Sequence, residues 1–122
     1  MKPIYTENAP AAIGPYSQGM DIGNLVFTSG QIPVDPFSGN IPDGIEAQAH
    51  ASCSNVGNIL QAAGSDFSKV VKTTCFLADM ADFAQFNAVY EAYFISKPAR
   101  SCVAVKALPK GVLCEIEAIA LK

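Results

Sequence analysis

One guanidinium and two carboxylates sit in a stretch of sequence that is otherwise apolar. Arg100 lies in Pro98-Ala99-Arg100-Ser101-Cys102. Glu115 and Glu117 lie in Cys114-Glu115-Ile116-Glu117-Ala118, beyond a turn at Leu108-Pro109-Lys110-Gly111. Charges in such company are expensive unless they are paired or meet a ligand. An arginine cannot shed its proton, and its planar fork matches a carboxylate, so Arg100 could grip a small organic acid. It could equally pair with an acidic residue of its own or a neighbouring chain, and the residue alone leaves both readings open. Glu115 and Glu117 alternate with Cys114, Ile116 and Ala118, which puts both on the strand face that carries Leu113, Ile119 and Leu121. A carboxyl in apolar surroundings rises in pKa, which suits moving a proton on water or substrate. A face wetted by solvent is the competing reading, and the spacing does not separate the two glutamates.

These residues need strands to hold them. Arg100 to Ala107 and Leu113 to Leu121 read as a hairpin closing the chain. Side chains of such a pair share a face only in the right register, and a slip of one residue reverses the answer. Arg100 and Glu115 therefore need not meet within one subunit, and a site assembled between two subunits is the alternative.

The preceding chain supplies the scaffold. A short edge strand at Ile4 to Thr6 begins a lead-in broken by Pro3, Pro10, Gly14 and Pro15. Ser17 to Ile22 and Leu25 to Gln31 read as strands joined at Gly23-Asn24, a dipeptide suited to a tight turn. Residues 33 to 44 carry Pro33, Pro36, Gly39, Pro42 and Gly44 and form a loop. Ile45, Ala49, Cys53, Val56, Leu60 and Ala63 follow helical steps, with Gly64 where a left-handed C-terminal cap belongs. Lys69 to Leu77 is a short β-branched strand. A second helix starts near Asp79 or Asp82, carries Phe83, Phe86, Tyr90 and Phe94 on one side, and ends before Pro98. Asn87 lies on that aromatic side, where a buried amide would need a partner. The order β-β-α-β-α-β-β makes the chain α+β, a mostly antiparallel sheet with two helices on one face.

Composition bounds the function. A chain of 122 residues fits one domain spanning 1–122, and 16% charged residues against 50% apolar suggests that a partner subunit covers part of the surface. A net charge of −3 offers no basic stripe for a phosphate backbone, so no nucleic-acid partner is expected. Cys53, Cys75, Cys102 and Cys114 form no CxxC pair, so no metal is expected, and reduced thiols buried as small core residues point to the cytoplasm. No stretch is long and apolar enough for a membrane span. His50, the only histidine, has no nucleophile motif beside it and reads as a plain helix residue. Gly14-Pro15-Tyr16-Ser17-Gln18-Gly19 reads as a tight turn exposing Tyr16.

The segments Asn8-Ala9-Pro10-Ala11-Ala12-Ile13-Gly14-Pro15-Tyr16-Ser17-Gln18, Thr28-Ser29-Gly30-Gln31-Ile32-Pro33, Val71-Lys72-Thr73-Thr74, Pro98-Ala99-Arg100-Ser101 and Glu115-Ile116-Glu117-Ala118-Ile119-Ala120 resemble the reactive-intermediate deaminases, the Rid or YjgF family. The resemblance runs nearly end to end. It implies a chorismate-mutase-like fold assembled as a homotrimer, with a central barrel and clefts between subunits. It also implies hydrolysis of enamine and imine acids, 2-aminoacrylate, 2-iminopropanoate and 2-iminobutanoate, to 2-oxo acids and ammonia, with no cofactor or metal. By the same resemblance Arg100 binds the substrate carboxylate with backbone groups near Cys102, Glu115 orients or activates water, and Tyr16, Ser29, Gly30 and Asn87 line the cleft. A binding or regulatory trimer using the same arginine is the alternative class. RNA cleavage, also attached to the family, sits poorly with the acidic charge. One departure is the connector Ile95-Ser96-Lys97, shorter than the family pattern, which bears on cleft shape and substrate range.

Overall fold

The computed structural model describes residues 1–122. The elements are β1 (Lys2–Ile4), β2 (Gly19–Asp21), β3 (Leu25–Thr28), α1 (Ile45–Ala62), β4 (Val70–Leu77), α2 (Phe83–Tyr93), β5 (Ala99–Ala104) and β6 (Cys114–Leu121). They build a six-stranded sheet of order β1-β2-β3-β6-β4-β5. Every neighbouring pair is antiparallel except β4 with β5, which runs parallel.

The expected closing hairpin is therefore wrong. β5 and β6 are not neighbours, because β4 lies between them and bonds both. Residues 105–113 carry the chain over the end of β4, with Val105 N–H donating to Leu77 O at 2.9 Å and Ala78 N–H donating to Leu113 O at 3.0 Å. The expected turn at Leu108 to Gly111 is instead a short 3-10 crossing with Lys110 at φ 56° and Gly111 at φ 66°. The first hairpin does form, with Asp21 paired to Val26, though both strands are shorter than the sequence suggests. Gln31 rejoins the sheet as an isolated bridge to Ile116.

Both helices cover the same face of the sheet. α1 buries Ile45, Ala49, Cys53, Val56, Ile59 and Leu60, and Gly64 ends the helical turn at φ 81°, a conformation that glycine adopts without strain. Its polar residues have structural work. Asn55 Nδ2 donates to Ile32 O and Val34 O, and Gln48 joins Pro42 O to Leu113 N–H, so the proline-rich loop is pinned to the helix. Asp79 caps a 3-10 turn over Met80–Asp82 ahead of α2. α2 and its C-cap drive Phe86, Tyr90 and Phe94 into the core, and burying a large aromatic is worth about 2–3 kcal/mol. No helix is long and apolar enough to cross a membrane.

Strand alternation divides the remaining side chains. Thr73, Cys75 and Leu77 of β4 and Cys114, Ile116, Ala118 and Ala120 of β6 point into the helical layer and are buried. The other face, against which neither helix packs, carries Phe27, Leu121 and Val103 at 37%, 49% and 46% exposure, together with half-buried Phe76 and Ile119.

Candidate functional site

Strand register decides where each candidate points. Arg100 pairs with Thr73 and Cys102 with Cys75, so both project toward the helices. Glu115 pairs with Phe76 and Glu117 with Thr74, so both project from the open face, as their alternation predicts. The sheet thus separates arginine from glutamate.

On the helix side, Arg100 is held by α2. Its Nη1 donates to Asn87 Oδ1 at 2.7 Å, which supplies the partner that a half-buried amide needs. The guanidinium carbon lies 4.7 Å from the centre of the Tyr90 ring and 5.6 Å from that of Phe83. No carboxylate of the chain lies within salt-bridge distance of Arg100, since the one ion pair joins Lys122 to Asp21. The intrachain ion-pair reading of Arg100 is thereby removed. Beside it opens a hollow of about 780 Å3 lined by Asn87, Tyr90, Glu91, Ile95, Lys97 and Arg100 among others. The connector forms part of this wall. Lys97 holds a left-handed φ of 51°, and Ser96 Oγ donates to Val70 O at 2.7 Å.

Cys102 is partly buried near this cluster, and none of the four cysteines is in a disulfide. Burial pushes the Cys75 thiol up to about 12 and that of Cys114 up to about 11, and raises Cys53 and Cys102 as well. Only a thiolate is a good nucleophile, so burial disfavours a nucleophilic role for these thiols, and Cys53, Cys75 and Cys114 are buried as expected of core residues. No cluster of histidine, cysteine and carboxylate side chains suits a metal ion.

On the open face, Glu115 is half-buried. Desolvation, and then the like charge of Glu117, raise its carboxyl above the ordinary value. The carboxylate lies directly against Gly30, where an added Cβ would fall 1.9 Å from Oε2. Gln31 fixes this approach: its N–H donates to Ile116 O at 2.8 Å, and Ile116 N–H donates back to Gln31 O at 3.2 Å.

Ser29 Oγ donates to Ser17 O at 2.6 Å, which commits its hydroxyl proton within the chain. Tyr16 is half-exposed and borders two hollows, one with Ser29 and Phe27, the other with Gly30 and Gln31. Tyr16, Ser29, Gly30 and Glu115 therefore form one group, and Asn87, Arg100 and Cys102 another.

Two supporting residues lacked a functional reading in sequence. Gln18, almost fully buried, ties the lead-in down by accepting from Thr6 N–H and donating to the Thr6, Ala9 and Pro10 carbonyls. Thr73 meets the Tyr90 hydroxyl at 2.6 Å. A glutamine close after the proline-rich lead-in was the available signal for the first; the second depends on a contact between strand and helix. His50 is exposed and meets the Tyr93 hydroxyl at 2.9 Å through Nδ1, with no nucleophile beside it.

Comparison with known proteins places this geometry. The model of the family described as endoribonuclease L-PSP matches residues 6–122. The 2-iminobutanoate/2-iminopropanoate deaminase of Escherichia coli K12 is 56% identical over 125 aligned positions, covering 99% of this chain and 98% of that protein. The alignment exceeds the 122 residues of the chain, so that relative carries residues missing here. The crystal structure of the E. coli YjgF gene product superposes with a TM-score of 0.97 at 55% identity, covering 100% of this chain and 99% of that one. E. coli TdcF, solved with bound serine, gives 0.97 at 50% identity and the same coverage. An end-to-end match in sequence and in fold means that this chain belongs to the endoribonuclease L-PSP family, the group of YjgF and Rid proteins.

Proposed function

We propose that the protein hydrolyses small 2-imino acids, and the enamines that tautomerise to them, to 2-oxo acids and ammonia. The cleft is one in which Arg100 of one subunit faces Glu115 of another. The observation that carries this reading is Arg100 itself, a permanent cation fixed by α2 yet lacking any carboxylate partner in its own chain. Asn87 takes one N–H, which leaves further donors of the fork for a substrate carboxylate. E. coli TdcF with bound serine is a family precedent for holding a small amino acid.

Glu115 supplies the second half. Water adds to the carbon of the protonated imine while one of its protons passes to the Glu115 carboxylate and the nitrogen becomes a neutral amine. Glu115 returns that proton to the amine, and as the tetrahedral adduct collapses the C–N bond breaks, ammonia leaves and the hydroxyl proton passes to the freed carboxylate, leaving the oxo group. An imine carbon is already electrophilic, so holding the carboxylate and delivering water suffices without a covalent intermediate.

The sheet faces opposite ways at the two residues, so a whole site needs a second chain. The exposed Phe27, Val103 and Leu121 on the open face are what a covered surface would contain. A cyclic homotrimer with three clefts satisfies both features. The name of the family points to RNA cleavage, but a net charge of −3 and a lone histidine bonded to Tyr93 give that reading little support.

A coupled assay that generates 2-aminoacrylate in situ and times its loss tests the proposal. The wild-type protein speeds the loss. Arg100→Ala lowers kcat/KM by roughly 100-fold, the size of losing a charge-assisted contact of about 3 kcal/mol, with the assembly intact. Normal turnover by that folded variant rules the assignment out. Binding of 2-oxobutanoate by wild-type protein without any turnover would make the cleft a sensor instead.

A further inference from the structure

We infer that Tyr90 is a positioning residue for Arg100, holding the guanidinium by its ring face while a hydroxyl contact to Thr73 fixes the ring. The inference rests on the role proposed for Arg100 and adds what sets its direction. Three contacts close a loop and two more brace it. Strand pairing puts Arg100 beside Thr73. Thr73 Oγ1, fully buried, meets the Tyr90 hydroxyl at 2.6 Å. The Tyr90 ring lies 4.7 Å below the guanidinium carbon and stacks on Phe94 at 4.4 Å with a 20° interplanar angle. Asn87, one helical turn before Tyr90 on α2, accepts from the guanidinium at 2.7 Å.

The chemistry explains why a ring is used. An arginine side chain has a large rotamer entropy, which a carboxylate would otherwise have to overcome on binding. A second acidic or amide partner could hold it still, but would consume the N–H groups that a substrate needs. A ring face attracts the cation through its quadrupole and leaves the in-plane donors free. A core-filling role for Tyr90 would need neither the stack under Arg100 nor the Thr73 contact, since phenylalanine occupies the same volume.

The test uses the full-length oligomer, with 2-oxobutanoate as binding probe and 2-aminoacrylate turnover as the kinetic readout. Tyr90→Leu is expected to weaken 2-oxobutanoate binding and raise KM by about tenfold, the scale of a partly desolvated cation–π contact, with a smaller change in kcat. Tyr90→Phe keeps the ring but loses its anchor, so it is expected to weaken binding by only about two- to threefold, the same as Thr73→Val, and to lose thermal stability by orphaning the Thr73 hydroxyl. In an Arg100→Ala background, Tyr90→Leu is expected to add nothing. Unchanged binding by folded Tyr90→Leu, or an equal loss with and without Arg100, overturns the inference. Should Tyr90→Leu fail to fold, Thr73→Val decides: a two- to threefold weakening, expected for a ring left without its anchor, supports it, and unchanged binding overturns it. The Arg100→Ala control separates the two levels, because normal 2-oxobutanoate binding by that variant alone removes the carboxylate-binding reading of Arg100.

Discussion

The two faces of the sheet hold their charges in opposite ways. On the helix side, Arg100 is fixed by other side chains, an amide at 2.7 Å and a ring at 4.7 Å, and its charge is permanent. On the open side, Glu115 is placed by backbone: it lies against Gly30, and the Gln31–Ile116 bridge sets the approach. Its charge is adjustable, because half-burial raises its pKa. The contrast fits the two tasks proposed for these residues. A group that grips a carboxylate gains from rigidity and constant charge, whereas a group that takes and returns a proton gains from a pKa nearer the working pH.

The strongest way to break the comparison is to destroy one half in each of two proteins. Arg100→Ala and Glu115→Gln are each expected to be nearly inactive. Unfolded and refolded together in equal amounts, they should form some clefts that unite the intact Arg100 of one chain with the intact Glu115 of the other. For random mixing in a cyclic oligomer, roughly a quarter of the clefts are whole, and activity should recover toward that fraction. No recovery from a mixture proven to exchange subunits would mean that both groups serve one chain's site, against their opposite orientations.

A smaller effect tests the open face alone. Gly30→Ala places a methyl group 1.9 Å from the present position of Glu115 Oε2, so the carboxylate must move. A displacement of about 1 Å at a reacting group can cost about 100-fold in rate, so kcat should fall by 10- to 100-fold. Binding of 2-oxobutanoate, assigned to Arg100, should change much less. Equal losses in both would show that the halves are not independent.

How much of this was legible in sequence follows from the range of the interactions. The helices were readable because three- and four-residue steps and the Gly64 cap are local signals. The alternation of Glu115 and Glu117 with buried Cys114 and Ile116 survived for the same reason. The closing hairpin failed because strands adjacent in sequence were expected to pair, whereas β4, rich in β-branched and apolar residues, took the position between them. That exchange of neighbours also decided the register, which spacing could not. The contacts of Asn87, Tyr90 and Thr73 with one another or with Arg100 join helix to strand and have no local signature. The family resemblance supplied candidates on both faces of the sheet, and the register argument left open whether Arg100 and Glu115 meet within one chain; strand pairing shows that they point away from each other.

The finest test compares the two glutamates. If Glu115 is the base, it must be ionised, so activity falls as the pH drops through its raised pKa. Glu117 is the second cause of that rise, after burial. Glu117→Gln removes a like charge and lowers the Glu115 pKa, so the acid limb of kcat should move to lower pH while the plateau stays level. An unmoved limb would assign it to another group. Stability gives an independent sign. A carboxyl whose folded pKa is raised makes a favourable contribution below its unfolded pKa and loses it as pH rises through the folded value. Glu115→Gln should therefore raise Tm at neutral pH, with the gain vanishing in acid, even as it removes activity. A stabilised but inactive variant would mark Glu115 as a residue kept for chemistry at the expense of the fold, whereas a destabilised one would mark it as structural.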